Sequence, residues 1–301
     1  MKLEYRLVDV FTQRPLEGNP LAVFHDARGL DAATMQKIAR EMNLSETTFV
    51  FPPERADSVA RVRIFTPSKE MLFAGHPTIG TAWVLRELGL VSKTVRRFAL
   101  HENVGLVEIR VADHADPIVW LRTPPIRSVR DYDPARCAAA IGLLPDDLIA
   151  GVPCEVLTAG NPNLYVPLRD RDTVDRARVD SAALRALFAD ATEPTCVFVF
   201  TPTAEGAYSR MFAEELGVVE DPATGSATGP LAAFMIEHGL APAADGSRFS
   251  SEQGTKMGRR SLLHVFIDGE RGANGIDVGG HVAPVAKATL VLPYRLREAQ
   301  S

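Results

Sequence analysis

Two segments of the chain are apolar on nearly every face, and they stand out from the alternation of apolar and polar positions around them. The first, residues 79–85, follows a loop of small residues and ends near Gly89. The second, residues 231–236, follows a similar loop and ends before Gly239. A helix that is apolar all round has to be buried on all sides. Each segment therefore predicts a central core helix preceded by a small-residue loop.

Most of the remaining apolar segments are short and alternate with polar residues, as half-buried strands do. Strands are predicted over residues 5–11, 21–24, 49–51, 59–65, 96–100, 105–111, 117–121, 154–158, 164–167, 196–200, 210–212, 262–267, 275–278 and 286–292. A further helix carries a stripe formed by Met35, Ile38, Ala39 and Met42, with Asp31 as its cap. Short helices are expected before Gly142 and around residues 184–188. The pattern favours an α/β (α+β) fold in which curved sheets wrap round buried central helices.

The two central helices belong to a longer internal repeat. Aligning Gly80 with Gly229 gives an offset of 149 residues. The Gly-Asn-Pro turns at residues 18–20 and 160–162 match at an offset of 142. The chain is therefore predicted to be an internal duplication, with its cleft between two pseudo-symmetric halves.

The boundary between these halves is placed at the Thr-Pro-Pro sequence of residues 123–125. This gives an N-terminal half over residues 1–124 and a C-terminal half over residues 125–301, whose last strand is free to return to the first half. At 301 residues the chain suits two such units.

The composition of the chain limits the kinds of molecule that it is expected to bind. The chain is 46% hydrophobic and 24% charged with a net charge of −5, so no basic face for nucleic acid is expected. The N-terminus lacks a signal peptide's apolar region, and no apolar run approaches the roughly 18–20 residues of a membrane span. Three widely spaced cysteines favour reduced thiols and a cytoplasmic location. The expected partner is a small molecule, not nucleic acid or a membrane.

Familiar cofactor motifs are missing from the sequence. The segment GSATG at residues 225–229 is not a nucleophile elbow, since its serine directly follows the first glycine. No dinucleotide or triphosphate loop is present. The seven histidines include no pair at metal-ligand spacing on a helix, and the cysteines form no C-x-x-C. We therefore expect neither a metal nor an organic cofactor.

Several polar residues lie in or near the two loops, and each has an ordinary structural explanation. His76 and Ser226 can cap helices, Asp221 can fix a turn before Pro222, and Glu46 can be an exposed carboxylate before a strand. Their placement at related positions favours a shared site. Loops that leave N–H groups free at helix starts are suited to an anion such as a carboxylate or phosphate.

The longer motifs resemble the PhzF-like family, named for the phenazine-biosynthesis isomerase. They are VDVFTQRPLEGNPLAVF, NLSETTFV, FAGHPTIGTA, EDPATGSATG and EQGTKMGR, and together they cover essentially the whole chain. The resemblance implies a diaminopimelate-epimerase-like fold, an active site between two similar halves, and a homodimer. It places the family's catalytic glutamate on Glu46, and its supporting site residues on Ser45, Gly75, His76, Asp221, Gly225 and Ser226.

The first functional hypothesis is an isomerase that moves a proton on a small carboxylate-bearing substrate without a cofactor. Glu46, His76 and Asp221 would be catalytic, and Ser45, Gly75, Gly225 and Ser226 would bind substrate. At an offset of 149, Glu46 corresponds to Thr195, so one half alone supplies a carboxylate and a same-face proton shift is expected.

The alternative hypothesis is a non-catalytic binding or scaffold protein of the same fold. A two-cysteine racemase does not fit the sequence, because the loop positions that would need cysteine hold other small residues.

Overall fold

The computed structural model describes residues 1–112, 117–214, 218–269 and 275–292. The α-helices in this part of the chain are α1 (Ala32–Met42), α2 (Gly75–Glu87), α3 (Pro134–Ala140), α4 (Arg171–Arg176), α5 (Ser181–Leu187) and α6 (Gly225–Glu237). The predicted stripe of α1 is confirmed, since Met35, Ile38 and Ala39 are buried. Asp31 caps this helix, accepting a hydrogen bond from the backbone N–H of Thr34 at 2.7 Å. Within the described ranges, no helix combines the length and the apolar character that crossing a bilayer requires.

The strands outnumber the helices. They are β1 (Lys2–Val10), β2 (Asn19–Phe24), β3 (Glu46–Phe51), β4 (Ala60–Phe65), β5 (Glu70–Met71), β6 (Arg97–Glu102), β7 (Gly105–Val111), β8 (Val119–Arg122), β9 (Arg127–Tyr132), β10 (Cys154–Thr158), β11 (Pro162–Pro167), β12 (Cys196–Thr203), β13 (Gly206–Ala213), β14 (Val218–Asp221), β15 (Arg248–Gln253), β16 (Ser261–Ile267), β17 (Ile276–Gly280) and β18 (Val282–Val291).

The same succession of strand pairings occurs in both halves of the chain. In the first half β1–β2 is antiparallel, β2–β3 parallel, β3–β4 antiparallel, β4–β6 parallel, and β6–β7–β8 antiparallel. In the second half β10, β11, β12, β13, β15, β16 and β17 follow that order with the same directions. The architecture is therefore the predicted α/β fold, with the same arrangement of strands in both halves.

Two strand pairs tie the halves together. β8 lies antiparallel to β17, with Arg122 opposite Asp277, so the two sheets are continuous at this seam. The final strand β18 pairs along β1, from Lys2 opposite Val291 to Val10 opposite Val282. In the second half, β9 takes the equivalent place beside β10.

The helices α2 and α6 are the centres of the two halves, and most of their residues are buried. Their first residues meet: a Cβ on Gly75 would lie 2.8 Å from the Cα of Gly225 and from the backbone nitrogen of Ser226. Glycine at position 75 therefore lets the two backbones approach this closely. The N-termini of the two helices face one shared place.

Strand register fixes which residues are equivalent in the two halves. Leu21 pairs with Glu46 in the first half, and Asn163 pairs with Cys196 in the second. Cys196, and not Thr195 as the offset of 149 predicts, therefore occupies the place equivalent to Glu46. The FVF sequences that suggested this offset are shifted by one residue relative to the strand pairing.

Candidate functional site

A narrow cavity of about 60 Å³ lies between the two halves. Its lining residues come from both: Ser45, Glu46, Thr66, Met71 and Ala74 from the first, and Asn161, Asn163, Cys196, Met211, Ala213, Val218, Asp221, Thr224 and Ser226 from the second. The cavity opens beside the starts of α2 and α6, since Ala74 and Thr224 precede these helices directly. The predicted cleft between the halves is therefore present.

The N-termini of α2 and α6 lack side-chain caps. Ala74 and Thr224 hold the N-cap positions, and neither side chain accepts a hydrogen bond from its helix. The positive ends of two helix dipoles thus point at the same small space. An anionic group placed there would be stabilised by backbone N–H groups, which suits a carboxylate.

Glu46 lies at the first position of β3, where the strand begins beside the cavity. Its Oε2 atom is 3.5 Å from Nε2 of His76, and 17% of the Glu46 side chain is exposed. Burial, together with the negative charge of Asp221, raises the pKa of Glu46 to about 8. Glu46 therefore holds a proton at neutral pH and can release it within a range accessible to catalysis.

His76 is neutral in this site. The side chain is almost fully buried, and burial lowers the pKa of His76 to about 3. A hydrogen bond to the backbone of Pro20 uses one ring nitrogen, and Nε2 has no hydrogen-bond partner. With the ring proton directed to the Pro20 carbonyl, Nε2 keeps a free lone pair facing Glu46. Pro20 therefore orients the imidazole.

Asp221 is the anionic member of the group. It accepts hydrogen bonds from Asn19 Nδ2 at 2.8 Å, from Ser45 Oγ at 3.4 Å and from Thr224 Oγ1 at 2.5 Å. Burial still raises the pKa of Asp221 to about 6, against the lowering effect of these bonds. Between about pH 6 and 8 the two carboxyls therefore share one proton, which Glu46 holds.

The structure brings the predicted residues together. Ser45, Glu46, Asp221 and Ser226 line the cavity, and His76 contacts Glu46. Gly75 and Gly225 form the contact between the two helix starts.

Sequence reasoning missed several residues that shape the site: Asn19, Asn161, Asn163, Cys196, Thr224 and Gln253. Gln253 fixes the loop before α6, donating to the carbonyl of Asp221 at 2.7 Å and accepting from the N–H of Thr224 at 3.1 Å. The repeated Gly-Asn-Pro turn was a usable signal, because its two asparagines reach the site from both halves.

One group of possible metal ligands lies elsewhere in the described part of the chain. Glu155, Glu237 and His238 offer ligand atoms within 4.8 Å of one another, at the C-terminal end of α6. His238 Nε2 is 3.5 Å from Glu155 Oε2, which is an ordinary ion-pair contact if the imidazole is protonated. None of these residues lines the cavity, and the expectation of a metal-free site stays a prediction.

The comparisons with known proteins agree on one family. The family model of phenazine biosynthesis-like proteins, PhzC-PhzF, matches residues 8–288. An uncharacterized isomerase of Mesorhizobium japonicum is 39% identical over 300 residues, covering 96% of this chain and 98% of the relative. The trans-2,3-dihydro-3-hydroxyanthranilate isomerase of Pseudomonas aeruginosa is 36% identical, covering 96% of this chain and 99% of that enzyme.

Solved structures share the fold. A PhzF-family phenazine biosynthesis protein of Bacillus anthracis matches with a TM-score of 0.85 at 25% identity, covering 97% of this chain and 100% of that one. A probable proline racemase of Agrobacterium radiobacter matches with a TM-score of 0.67 at 14% identity, covering 97% of this chain and 93% of that one. The similarity to the probable proline racemase concerns the fold alone.

Proposed function

Since the chain belongs to the phenazine biosynthesis-like family, we propose that it is an isomerase that moves a proton on a small carboxylate-bearing substrate. Its ligand is a small molecule and not nucleic acid or a membrane. The substrate of the Pseudomonas aeruginosa relative, trans-2,3-dihydro-3-hydroxyanthranilate, is the first compound to test.

The placement of Glu46 in the cavity wall, with its carboxyl 3.5 Å from His76, is the observation that carries this proposal. A general acid or base works best when its pKa lies near the operating pH, and such a group contributes about 10²–10⁴-fold in rate. Burial beside Asp221 raises the pKa of Glu46 to about 8, and the carboxyl lines the cavity. The side chain can therefore exist in both protonation states under ordinary conditions.

In the proposed reaction the two helix N-termini hold the substrate carboxylate. The ionised form of Glu46, whose share increases as pH rises toward 8, removes a proton from an activated carbon, and the electron pair left behind delocalises over the conjugated substrate. The protonated Glu46, whose side chain is 17% exposed and can exchange its proton with solvent, then delivers a proton to a different carbon on the same face. No electrons are gained or lost, and Glu46 regains its starting state, so this scheme needs no cofactor.

His76 and Asp221 support this proton transfer in different ways. The free lone pair of His76 Nε2 gives the Glu46 proton a neighbouring acceptor, which directs the carboxyl group. Asp221 stays ionised and raises the proton affinity of Glu46 through its charge. Ser45 and Ser226 are positioned at the cavity wall, where their hydroxyls can bind substrate oxygens.

A second reaction type, racemisation, has to be distinguished from the proposed proton shift, because Cys196 occupies the place equivalent to Glu46. A racemase needs a proton carrier on each face, and Cys196 would have to be the second one. The proposed shift needs Glu46 alone. The position of the incoming proton distinguishes these reactions, because a shift labels a new carbon whereas racemisation labels the original one.

We also propose a cytoplasmic homodimer. Support for a reducing compartment comes from Cys137, Cys154 and Cys196, which are buried and form no disulfide within the described residues. A hydrogen bond between Cys137 and Cys154 shows that these two thiols lie close together while remaining unlinked.

Solvent-deuterium incorporation tests the proposed function. The wild type, Glu46→Gln and the exposed control Glu54→Gln are incubated in D₂O with a panel of small unsaturated carboxylates, and products are analysed by NMR. Glu46→Gln is expected to lose conversion and deuterium incorporation by about 10²–10⁴-fold, while Glu54→Gln keeps both. A folded Glu46→Gln variant that converts as fast as wild type would exclude Glu46 as the base. Tight binding of the panel without any exchange by wild type would favour the non-catalytic binding protein.

A further inference from the structure

The second half contributes a polar wall to the cavity that the proposed proton transfer does not use. Asn161, Asn163 and Cys196 line it, at the beginnings of the parallel strands β11 and β12. Asn163 is the most deeply buried polar residue of this wall, with 1% of its surface exposed. The polar atoms of its amide therefore need hydrogen-bond partners, either within the protein or from a ligand.

The hydrogen bonding of Asn163 is only half satisfied. Nδ2 donates to the carbonyl of Asn161 at 2.9 Å, and this bond fixes the orientation of the amide. Oδ1 is buried and has no hydrogen-bond partner in the described part of the chain. A buried acceptor left without a partner is unfavourable, and native proteins keep few of them. Because Asn163 lines the cavity, this unpaired acceptor is a candidate ligand-binding group.

The first half shows that the fold itself does not need a polar residue here. Asn163 pairs with Cys196 as Leu21 pairs with Glu46, so Leu21 occupies the equivalent place. Leu21 is fully buried in the hydrophobic core of its half. An apolar side chain therefore satisfies the packing at the equivalent position, so packing alone does not explain the amide of Asn163.

We propose that Asn163 is a specificity-determining residue whose Oδ1 accepts a hydrogen bond from a hydroxyl or amine of the substrate. This inference rests on the proposed function, because it assumes that the same cavity holds the substrate. The carboxylate lies at the starts of α2 and α6, and the donor group lies toward β11. A site that offers a buried acceptor selects ligands with a matching donor, because an apolar analogue leaves the acceptor unpaired.

Matched pairs of carboxylates test this assignment without requiring turnover. Butyrate and 3-hydroxypropionate differ by the exchange of a terminal methyl for a hydroxyl, as do 3-methylbenzoate and 3-hydroxybenzoate. Calorimetric titration compares both pairs on wild type, Asn163→Leu and Asn163→Asp, with thermal unfolding as the check on folding. Leucine is chosen because Leu21 fills the equivalent place, and aspartate keeps the acceptor if the leucine variant does not fold.

Wild type is expected to bind the hydroxylated member of at least one pair about tenfold more tightly than the methyl member. One good hydrogen bond contributes a difference in affinity of this size. Asn163→Leu should lose this preference while binding the methyl compound within about twofold of wild type, and Asn163→Asp should keep it. The assignment is overturned if the preference persists in Asn163→Leu or vanishes in Asn163→Asp. It is equally overturned if wild type shows no preference, whether it binds both members of each pair or neither.

The Glu46→Gln variant separates this inference from the proposed function. Its binding preference should match that of wild type even though its proton transfer is lost. Loss of the Asn163 preference with intact Glu46-dependent exchange would contradict the inference alone. Preserved selectivity with exchange that does not depend on Glu46 would contradict the proposed function alone.

Discussion

At the scale of single residues, the surroundings of the carboxyl groups shift their pKa values in two opposite directions. Arg63 forms a two-pronged hydrogen-bonded pair with Glu70, and this partner lowers the pKa of Glu70. Glu46 and Glu102 are instead buried against neutral groups or another carboxylate, and burial raises the pKa of each to about 8. Of these two glutamates, Glu46 lines the cavity and Glu102 does not. A raised pKa therefore identifies a buried carboxyl, and position decides whether it can act on a substrate.

Glu102 provides a pH-dependent stability prediction. Its folded-state pKa of about 8 lies above the ordinary value of 4.5, so its contribution to stability is fully present below about pH 4.5 and is lost as pH rises through about 8. Gln253 ends β15 where Glu102 ends β6, which shows that an amide fits this place. Glu102→Gln should therefore be more stable than wild type at pH 9, by roughly 0.5–2 kcal/mol.

Urea denaturation at pH 5 and pH 9 measures this difference. The gain from Glu102→Gln should grow with pH, because the glutamine cannot lose a proton while Thr78 still has a partner for its hydroxyl. A gain that is the same at both pH values would show that Glu102 does not titrate in this range.

At the scale of secondary-structure elements, the contact between α2 and α6 creates the anion site. Gly75 allows it, since a side chain there would meet backbone atoms of Gly225 and Ser226, which cannot move as a flexible side chain can. On the other side, the ring of Phe11 lies where a Cβ on Gly225 would come within 2.9 Å of it. Two dipoles thus converge because two glycines bring the helix ends together.

Gly75→Ala is predicted to push the helix starts apart. Overpacking of this kind costs about 1–3 kcal/mol of stability, and the affinity for acetate or sulfate should fall by about tenfold or more. Calorimetric titration with both anions measures the affinity, and crystals grown in sulfate should show the ion between residues 75–78 and 225–227. Ser226→Ala is the companion variant, expected to lose no more than about threefold because its backbone N–H remains. Equal anion affinity in Gly75→Ala and wild type would contradict the site.

At the scale of the whole molecule, Arg259 connects the two halves. It lies in the second half and binds the loop that precedes β2 in the first half. Its Nη2 donates to Asp9 Oδ1 at 2.6 Å and to the carbonyl of Glu17 at 2.8 Å, and its Nε donates to the carbonyl of Gly18 at 2.8 Å. This loop leads directly to Asn19, which binds Asp221. The connection between the halves and the geometry of the site are therefore linked.

Arg259→Met should destabilise the protein by roughly 3 kcal/mol, because Asp9 is 2% exposed and would lose its charged partner. Arg28→Met removes a comparable pair with Asp26 on the surface, and it should change stability by no more than about 0.5 kcal/mol. The measurement is the free energy of unfolding from urea titrations. Equal effects of the two substitutions would show that Arg259 does not hold the loop.

Much of this architecture was predictable because it follows from the local spacing of apolar residues. The stripe of α1, the two all-apolar helices and the strands β7 and β10 follow from apolar spacing alone. β9 and β15 were missed because their sequences, RSVRDY and RFSSEQ, are mostly polar, and pairing with β10 and β16 makes them strands. The predicted site residues came from motifs, whereas Asn163 and Cys196 became visible only through strand register. Long-range pairing, which no local pattern encodes, determined that part of the site.

The ionisation of Glu46 is the most direct test of the account, because it needs no substrate. Infrared difference spectra of wild type and Glu46→Gln, recorded from pH 5 to pH 10, isolate the carboxyl stretch of this one side chain. The raised pKa of Glu46 predicts a protonated carboxyl at pH 6 that is absent from the variant and disappears as pH rises through about 8. A Glu46 carboxyl that is already ionised at pH 6 and titrates near its ordinary value of 4.5 would contradict the account.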